Sequence, residues 1–389
     1  MTSYDAPQMI FKWEECNLNR QSSILSTSYH AHFFHCLALA LSAFASPYKR
    51  DAGLTVSLSG PASDVTSIDD LKFTATVANT GSESVKILKY GTILDDMLPT
   101  QSFTVTKDGD TVNFTGIKIS VSLKGTNDSV FAVIPPGQSV TAEHNLSALF
   151  DFASAGPGTF MFTPVTSFYI TSPEARVTDA ASLDKVSMSS SSVDVNISGD
   201  LTKRDLFPVL NTRAVDICTD NTKANVIDAS YIGGKSIASS ASSYIASNGE
   251  DALYTSYFST TPTDTVRTVF DRVANEASNT RTMDCTDPLL VCLEVPGVTA
   301  YTTIPESDIY FCDLFFTLDS TPGLCYGTVD DTPTTAGVML HELTHATSQT
   351  IDVAYGCADD QELLPAEQAV NADNYNCFAN EVYKATMCS

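Results

Sequence analysis

Short segments of alternating hydrophobic and polar residues fill the first half of the chain, between residues 54 and 170. Residues 71–77 and 117–123 are examples, rich in Val, Ile, Thr and Phe, and turn-forming stretches such as residues 107–110 separate such segments. Alternation with a period of two is typical of strands that bury one face. The pattern predicts an all-β region arranged as an antiparallel sandwich.

The pattern becomes helical after residue 204. Apolar residues recur there at spacings of three and four, for example within residues 266–273. This spacing predicts helices over residues 237–258 and 265–277, with Asp264 as the N-cap of the second helix.

Two further helices are predicted, one carrying residue 341 and one over about residues 361–385. Between them and the first helices, residues 300–316 combine β-branched and aromatic side chains, which predicts a small sheet. The edge strand of this sheet is available for backbone pairing with an extended peptide. The fold class is therefore α+β, with a mainly α-helical second half that follows an all-β, sandwich-like first half.

An apolar run over residues 33–45 ends in Ala43-Phe44-Ala45, the small-x-small pattern of a signal peptidase site. Residues 1–45 are therefore predicted to be a signal peptide with an atypical polar extension, which makes Met1 a doubtful start. The run is too short to cross a bilayer, and no later stretch reaches about 18 continuous apolar residues. We expect a secreted protein with no membrane-spanning segment.

Two dibasic pairs divide the remaining chain: Lys49 with Arg50, and Lys203 with Arg204 after a serine-rich stretch. A kexin-type protease cuts after such pairs where the backbone is extended and accessible. We therefore interpret residues 46–204 as a propeptide and residues 205–389 as the mature domain, with an uncut two-domain protein as the alternative. Glycosylation sequons all precede the second pair, at Asn113, Asn127, Asn145 and Asn196.

Both histidines of the second half fall in one pentapeptide, His341-Glu342-Leu343-Thr344-His345. Because a helix turns about 100° per residue, His341 and His345 lie on one face and can both reach one metal ion. Glu342 lies one step round the helix, where it is better placed to hold a water than to be a ligand. The pattern predicts one Zn²⁺ per chain with Glu342 as general base, against the alternative of a charged helix face. The histidine of the expected propeptide, His144, is expected at the surface.

No third histidine of the metzincin pattern follows, so a carboxylate must complete the metal site. Asp352, Tyr355 and Gly356 resemble the aspartate and the Tyr-Gly pair that follow HExxH in the deuterolysin family of fungal secreted zinc metallopeptidases. The resemblance implies a zincin-type catalytic domain in which Asp352 joins His341 and His345 as a zinc ligand. It also implies that Tyr355 hydrogen-bonds the oxyanion formed when a zinc-activated water attacks a peptide bond.

This chain departs from the family's pattern in two places. Gln349 stands where the family has glycine, and the segment between His345 and Asp352 is shorter than usual. A glutamate from a following helix, Glu362 or Glu367, is therefore the alternative third ligand.

Eight of the ten cysteines follow Arg204, whereas Cys16 and Cys36 precede or lie within the predicted signal peptide. An even number confined to an exported domain indicates disulfides. Spacing alone leaves many pairings open. The family resemblance implies three bridges and leaves a fourth: Cys218 with Cys285, Cys292 with Cys312, Cys325 with Cys388, and the remaining Cys357 with Cys377.

The net charge of −25 disfavours binding to nucleic acid and to anionic membranes, and it favours basic peptides. Family members that cut before lysine use acidic residues downstream of the Tyr-Gly pair. Asp373 matches this region and is implied to bind substrate, whereas Asn376 stands where a second acidic group would help. The resemblance implies a mild preference for basic sequences.

The sequence thus predicts a secreted, monomeric zinc endopeptidase. Its expected partners are protein and peptide substrates, a kexin-type processing protease and its own propeptide. Serine and aspartic peptidase motifs, Gly-x-Ser-x-Gly and Asp-Thr/Ser-Gly, are absent. The alternative is a secreted non-catalytic binding or effector protein with a structural zinc site, which the intact Glu342 argues against.

Overall fold

The structure is a computed structural model that describes residues 53–123, 128–177, 182–204, 217–304 and 306–388. The predicted signal peptide, with Cys16 and Cys36, lies outside the described residues, as do the first dibasic pair and the sequon at Asn127. All described residues belong to one structural unit, residues 51–389.

Short strands follow one another through residues 54–200, as the alternating pattern predicts. In β3 (Lys72–Asn79), for example, Phe73, Ala75 and Val77 are buried and the residues between them are less so. The other elements of this half are β1 (Leu54–Ser59), β2 (Asp64–Ser67), β4 (Val85–Leu88), β5 (Phe103–Lys107), β6 (Asp110–Thr111), β7 (Ile117–Val121), β8 (Phe131–Ile134), β9 (Ser139–Asn145), α1 (Phe152–Ala155), β10 (Gly158–Pro164), β11 (Ser167–Thr171), β12 (Asp184–Ser187) and β13 (Val193–Asp200).

Twelve of these strands form three sheets within the described ranges, in the orders β1-β3-β9, β2-β13-β10-β5-β6 and β12-β11-β4-β8. Aromatic side chains from two sheets meet in one core, where the ring of Phe73 lies 5.5 Å from that of Phe103 and 4.7 Å from that of Phe162. The pair β2 with β13 is parallel. The expected purely antiparallel pairing is therefore wrong at this one edge.

His144 is buried on β9, so the prediction of a surface histidine is wrong. Its Nε2 lies 2.9 Å from the carbonyl oxygen of Ile93, and the ring of Phe103 packs edge-on against it. The reason is the alternation of β9, which turns His144 to the same inner side as Ala142. Burial lowers the pKa of the His144 imidazole, which favours its neutral form.

Helices dominate the second half, as predicted. They are α2 (Asn221–Asn248), α3 (Ala252–Phe258), α4 (Thr263–Ala274), α5 (Val291–Glu294), α6 (Thr335–Ser348), α7 (Cys357–Glu362), α8 (Pro365–Gln368) and α9 (Ala372–Met387), and the strands are β14 (Met283–Asp284), β15 (Val298–Thr303) and β16 (Ile309–Phe311). The expected sheet over residues 300–316 ends at Phe311, because a 3₁₀ helix follows over Asp313–Thr317.

Two predicted helices are interrupted by local signals. The helix expected over residues 237–258 is two helices, because Gly249 adopts a φ of 62° and the Asp251 carboxylate accepts the N–H of Tyr254 to start α3. The helix expected over about residues 361–385 is α7, α8 and α9, with Pro365 opening α8. Asp264 is not an N-cap, since it lies in the first turn of α4 after the N-cap Pro262.

The helix α6 is buried at the centre of the second half, packed among α2, α4 and α9. Gly234 of α2 makes this contact close. A Cβ there would lie 3.1 Å from the carbonyl oxygen of Ala336 and 3.2 Å from the nitrogen of Leu340. Only a small residue lets the two backbones approach to this distance, which holds α6 in place.

The small sheet has the order β14-β16-β15-β7, so its fourth strand comes from the first half of the chain. The strands β7 and β15 pair in antiparallel fashion, with Ile119 opposite Tyr301 and Lys118 opposite Thr302. An apolar cluster shared by both halves supports the pairing, and it includes Ile119 and Tyr301. The edge strand that was predicted to pair with an extended peptide is therefore paired with β7.

All four expected disulfides are present: Cys218 with Cys285, Cys292 with Cys312, Cys325 with Cys388, and Cys357 with Cys377. None of the helices in the described ranges has the length and apolar character needed to cross a membrane.

Candidate active site

The pentapeptide His341–His345 lies within α6, as its pattern predicts. The helix starts at Thr334, whose hydroxyl accepts the N–H of Gly337 at 3.0 Å. His341 and His345 are 1% and 0% exposed, so this face of the helix is not a solvated charged surface. Their imidazoles project toward the loop that follows the helix.

Three ligand-type atoms converge at this point. The Nε2 atom of His341, the Nε2 atom of His345 and the Oδ1 atom of Asp352 lie 3.1 Å from one another along all three edges of a triangle. Ligand atoms about 2.0–2.1 Å from a tetrahedral zinc ion are separated by about 3.3 Å. The donor set and its spacing therefore fit one zinc ion.

The loop after α6 delivers Asp352. Gln349 ends the helix with a φ of 57°, the left-handed conformation that glycine adopts most easily, which suits the glycine that the family resemblance implies at this position. Next, the carbonyl oxygen of Thr350 accepts a hydrogen bond of 2.8 Å from Nδ1 of His345. That bond leaves Nε2 of His345 as the nitrogen whose lone pair is free for a metal.

Asn371 holds the next part of the loop. Its side-chain oxygen accepts the N–H groups of Val353 at 2.8 Å and Ala354 at 3.2 Å, and a parallel bridge joins it to Ile351. Because Asn371 is fully buried, the position of Asp352 between Ile351 and Val353 is set by a rigid neighbour.

Glu342 is fully buried beside this triangle. One carboxylate oxygen, Oε2, accepts the hydroxyl of Thr302 at 2.6 Å, and the other, Oε1, has no hydrogen-bond partner among the described residues. An unsatisfied buried oxygen is costly unless another group completes it, so this atom is placed to receive a water. Burial raises the pKa of the Glu342 carboxyl to about 8 and lowers the pKa of the His345 imidazole to about 4.

The ring of Tyr355 stacks against that of His341, with the two ring centroids 6.3 Å apart. Its hydroxyl donates a hydrogen bond of 2.7 Å to the carbonyl oxygen of Ile119 in β7. The hydroxyl is therefore a donor aimed at a peptide carbonyl in the cleft.

Asp373 packs behind His341. Its Oδ2 accepts the N–H of Gly356 at 2.7 Å, and its Oδ1 accepts the side-chain amide of Asn376 at 2.8 Å and lies 3.5 Å from Nδ1 of His341. The same carboxylate lines a cavity of about 110 Å³. Asp330 is a second carboxylate in its wall, so the cavity is electronegative and suits a basic group.

The alternative ligands are not part of the triangle in the described structure. Glu367 instead accepts the N–H of Leu364 within its own helix turn, and Glu362 is exposed. The cluster that offers metal ligands here is His341, His345 and Asp352.

Sequence reasoning missed four contributors to the site. Thr302 binds Glu342, Thr350 orients His345, and Asn371 supports the loop, but isolated polar residues carry no spacing signal. Lys118 also reaches the site, donating from its ammonium to the carbonyl oxygens of Thr350 and Gln349. Its role depends on a contact across more than 200 residues, which no local pattern reports.

A buried helix with two histidines and a neighbouring glutamate, completed by a loop aspartate, defines a metallopeptidase. The chain belongs to the deuterolysin metalloprotease (M35) family, whose sequence model matches residues 29–386. It is a metalloendopeptidase.

Curated relatives agree with this family. The chain is 29% identical over 363 residues to a peptidyl-Lys metalloendopeptidase of Grifola frondosa, covering 89% of this chain and 98% of that protein. It is 28% identical to the corresponding protein of Armillaria mellea, covering 89% and 96%. A neutral protease 2 homolog of Phaeosphaeria nodorum is also 28% identical, covering 86% and 93%.

Proposed function

We propose that this chain is the precursor of a secreted zinc endopeptidase that hydrolyses peptide bonds in proteins, with a mild preference for basic sequences. The observation that carries the proposal is the triangle of His341, His345 and Asp352, with an unsatisfied oxygen of Glu342 beside it. These residues would hold one zinc ion. When bound, the ion would supply Lewis-acid chemistry, lowering the pKa of a water and polarising the substrate carbonyl.

Three side chains of the protein supply proton transfer, stabilisation of the oxyanion and orientation of the base. Glu342 accepts a proton from the attacking water and delivers it to the leaving amine, since its free oxygen is the available base. Tyr355 donates its hydroxyl to the peptide oxygen as negative charge develops there. Thr302 holds the Glu342 carboxylate in one orientation through its 2.6 Å hydrogen bond.

The cavity beside Asp373 supports a preference for basic substrates. It lies next to the metal-ligand cluster and contains the carboxylates of Asp373 and Asp330. The names of two relatives, peptidyl-Lys metalloendopeptidases, point the same way. Asn376 is a neutral amide that donates to Asp373 and stands where a second acidic group would help, so we propose a mild rather than a strict lysine rule.

We also propose that residues 46–204 are a sandwich-like propeptide, removed after Lys203 and Arg204 by a kexin-type protease during export. The four disulfides of the second half support an oxidising destination. The sequons at Asn113 and Asn145 are exposed and Lys203 is exposed, as glycosylation and processing require. The processed enzyme is proposed to act as a monomer.

Hydrolysis of a histone by the processed enzyme tests the catalytic proposal, comparing wild type with Glu342→Gln at equal zinc content. Because Glu342 is the proposed base of the hydrolytic step, we expect its loss to reduce kcat by about a thousandfold or more. Zinc bound by both proteins with no hydrolysis of any protein by either would instead identify a non-catalytic binding protein with a structural metal.

A further inference from the structure

The strand β7 belongs to the expected propeptide but completes the sheet of the catalytic half. Its partner is β15, and the contact extends beyond the strand at both ends. Ile304 donates its N–H to the carbonyl oxygen of Gly116 at 3.0 Å, and Ser122 donates to that of Gly297 at 2.7 Å. An extended peptide bound at a sheet edge makes the same type of backbone pairing.

The outer edge of β7 faces the metal-ligand cluster. Ile119 donates its N–H to Oδ2 of Asp352 at 3.2 Å, and its carbonyl oxygen accepts the hydroxyl of Tyr355 at 2.7 Å. Under the proposed function, this hydroxyl binds the carbonyl oxygen of the bond being hydrolysed. The peptide bond between Ile119 and Ser120 therefore lies in the position of a substrate's reacting bond.

The side chains on either side of Ile119 occupy the cleft differently. The ammonium of Lys118 is held by the carbonyl oxygens of Gln349 and Thr350, and 7% of the residue is exposed. Ser120, on the same face of the strand, lines the cavity that contains Asp373. A serine side chain is too short to fill a cavity of about 110 Å³, whereas a long basic side chain would enter it.

The strand is also firmly attached. Ile117 and Ile119 lie in the apolar cluster that joins the two halves, and the hydroxyl of Tyr90 donates to the carbonyl oxygen of Pro296 at 2.8 Å. A segment tethered in this way competes with free substrates at a high effective concentration.

We propose that residues 117–121 are a built-in inhibitor that occupies the substrate cleft in the manner of a substrate. The bond between Ile119 and Ser120 lies at the reacting position, and Ser120 stands where the cavity accepts a basic residue. The segment is not hydrolysed because Ser120 is a poor substrate residue for the cavity. The contacts of β7 with the catalytic half keep the segment bound. The inference rests on the proposed function and adds the regulation of that same site.

The first test measures latency in the full chain. Lys203→Ala blocks processing and leaves the ion pairs of Arg204 with Asp69 and Asp200 intact. We expect the intact variant to hydrolyse a histone at least about a hundredfold more slowly than wild-type enzyme freed of residues 46–204. Equal rates of hydrolysis by the intact variant and the processed enzyme would overturn the proposal of an inhibitor. Inactivity of both forms would mean that the proposed function, not the inhibitor, had failed.

The second test addresses the register of the strand. In the Lys203→Ala background, Ser120→Lys places a basic side chain at the cavity. We expect water to add across the peptide bond after Ile119, giving a carboxylate at Ile119 and a free amine at residue 120. Mass spectrometry detects the new ends, which should be absent when Glu342→Gln is added.

Ser122→Lys is the matched control, two residues further along the chain. Cleavage before residue 122, or no cleavage in either variant by an enzyme that cuts lysine peptides when processed, would overturn the register. The latency measurement needs no change in β7, so it decides the proposal alone if Ser120→Lys does not fold.

Discussion

The two halves of the chain are stabilised in different ways. Residues 53–204 contain no cysteine, and their strands are held by main-chain pairing and an aromatic core. Residues 217–388 pack their helices around α6 and add four disulfides. A disulfide limits the freedom of the unfolded chain and thereby stabilises the folded domain. The cross-links are thus confined to the half that carries the chemistry.

The contact between the halves shows that they are nevertheless coupled. Their shared apolar cluster includes the stacked rings of Tyr301 and Tyr310, whose centroids lie 4.9 Å apart on β15 and β16, the two strands nearest β7 in the sheet. The first half therefore supplies part of an apolar core that the second half shares. Under the proposed processing, its removal would expose this surface to water or to substrate.

The largest expected effect concerns the metal-ligand cluster, which lies in the disulfide-bonded half. Asp352→Ala in the processed enzyme should abolish zinc binding and lower kcat/KM by about a thousandfold or more, because metal-ion chemistry supplies several kcal/mol. Mass spectrometry measures the loss of zinc, and hydrolysis of a peptide measures the loss of kcat/KM. Glu362→Ala is the matched control, with full zinc content expected. The opposite result, with zinc lost only on changing Glu362, would move the third ligand to α7.

The disulfides provide the next largest effect. Replacing Cys218 and Cys285 with alanine should lower the free energy of unfolding of the processed enzyme by about 4 kcal/mol, because the bridge closes a loop of 67 residues. Urea unfolding measures this change.

Hydrogen exchange in the intact precursor tests whether loss of the disulfides affects only the second half. A reductant should increase exchange in α2 and leave β3 and β10 unchanged. Equal increases in all three elements would show that the first half depends on the cross-links of the second.

A pH dependence is expected in the first half. Asp95 is buried between Thr100, whose hydroxyl donates to it at 2.7 Å, and the N–H of Leu98, with Tyr90 and Asp96 as its titratable neighbours. Burial raises the pKa of its carboxyl to about 6. The folded state then holds a proton that the unfolded state releases, so stability falls as pH rises from about 4 to about 6.

The size of this effect follows from the pKa difference. It reaches up to about 3 kcal/mol, since each pKa unit corresponds to about 1.4 kcal/mol. Asp95→Asn should remove the slope and stabilise the precursor at pH 7, as measured by urea unfolding between pH 4 and 7. An unchanged slope in the variant would assign the pH dependence to another group.

Local sequence patterns predict many of the secondary-structure elements and part of the candidate site. The strand β3, the helix α6 and the cluster of His341, Glu342 and His345 each have a periodicity or spacing that a short segment displays. The cysteine pairs and Asp352 needed the family resemblance, because spacing alone leaves several partners open.

The rest depends on contacts between distant residues. Thr302 reaches Glu342 from 40 residues away, and Lys118 reaches Thr350 from 232 residues away. The alternation of β7 predicts a strand and its two faces but does not identify the strand beside it, so it does not say which sheet β7 joins. The burial of His144 was missed for a related reason: alternation gives the two faces of β9 but does not identify the face that a single polar residue takes.

The smallest expected effect concerns the cavity to which both halves contribute residues. Ser120 from the first half and Asn376 from the second line the same space. Asn376→Glu adds a third carboxylate to the cavity wall, beside those of Asp373 and Asp330. A lysine side chain entering the cavity would then face one more negative charge than in wild type. We expect the ratio of kcat/KM for lysine over leucine, at the position after the cleaved bond, to rise by about tenfold, equivalent to about 1.4 kcal/mol.

The charge of the new glutamate carries this prediction. Asn376→Gln keeps an amide at the same position and should leave the ratio near that of wild type, as paired peptides differing in one residue would show. Two neighbouring carboxylates also raise each other's pKa, so the added preference should weaken as the pH falls toward the acidic range. An equal gain with glutamine would mean that cavity shape, rather than charge, selects the side chain, and the electronegative cavity would no longer explain the basic preference.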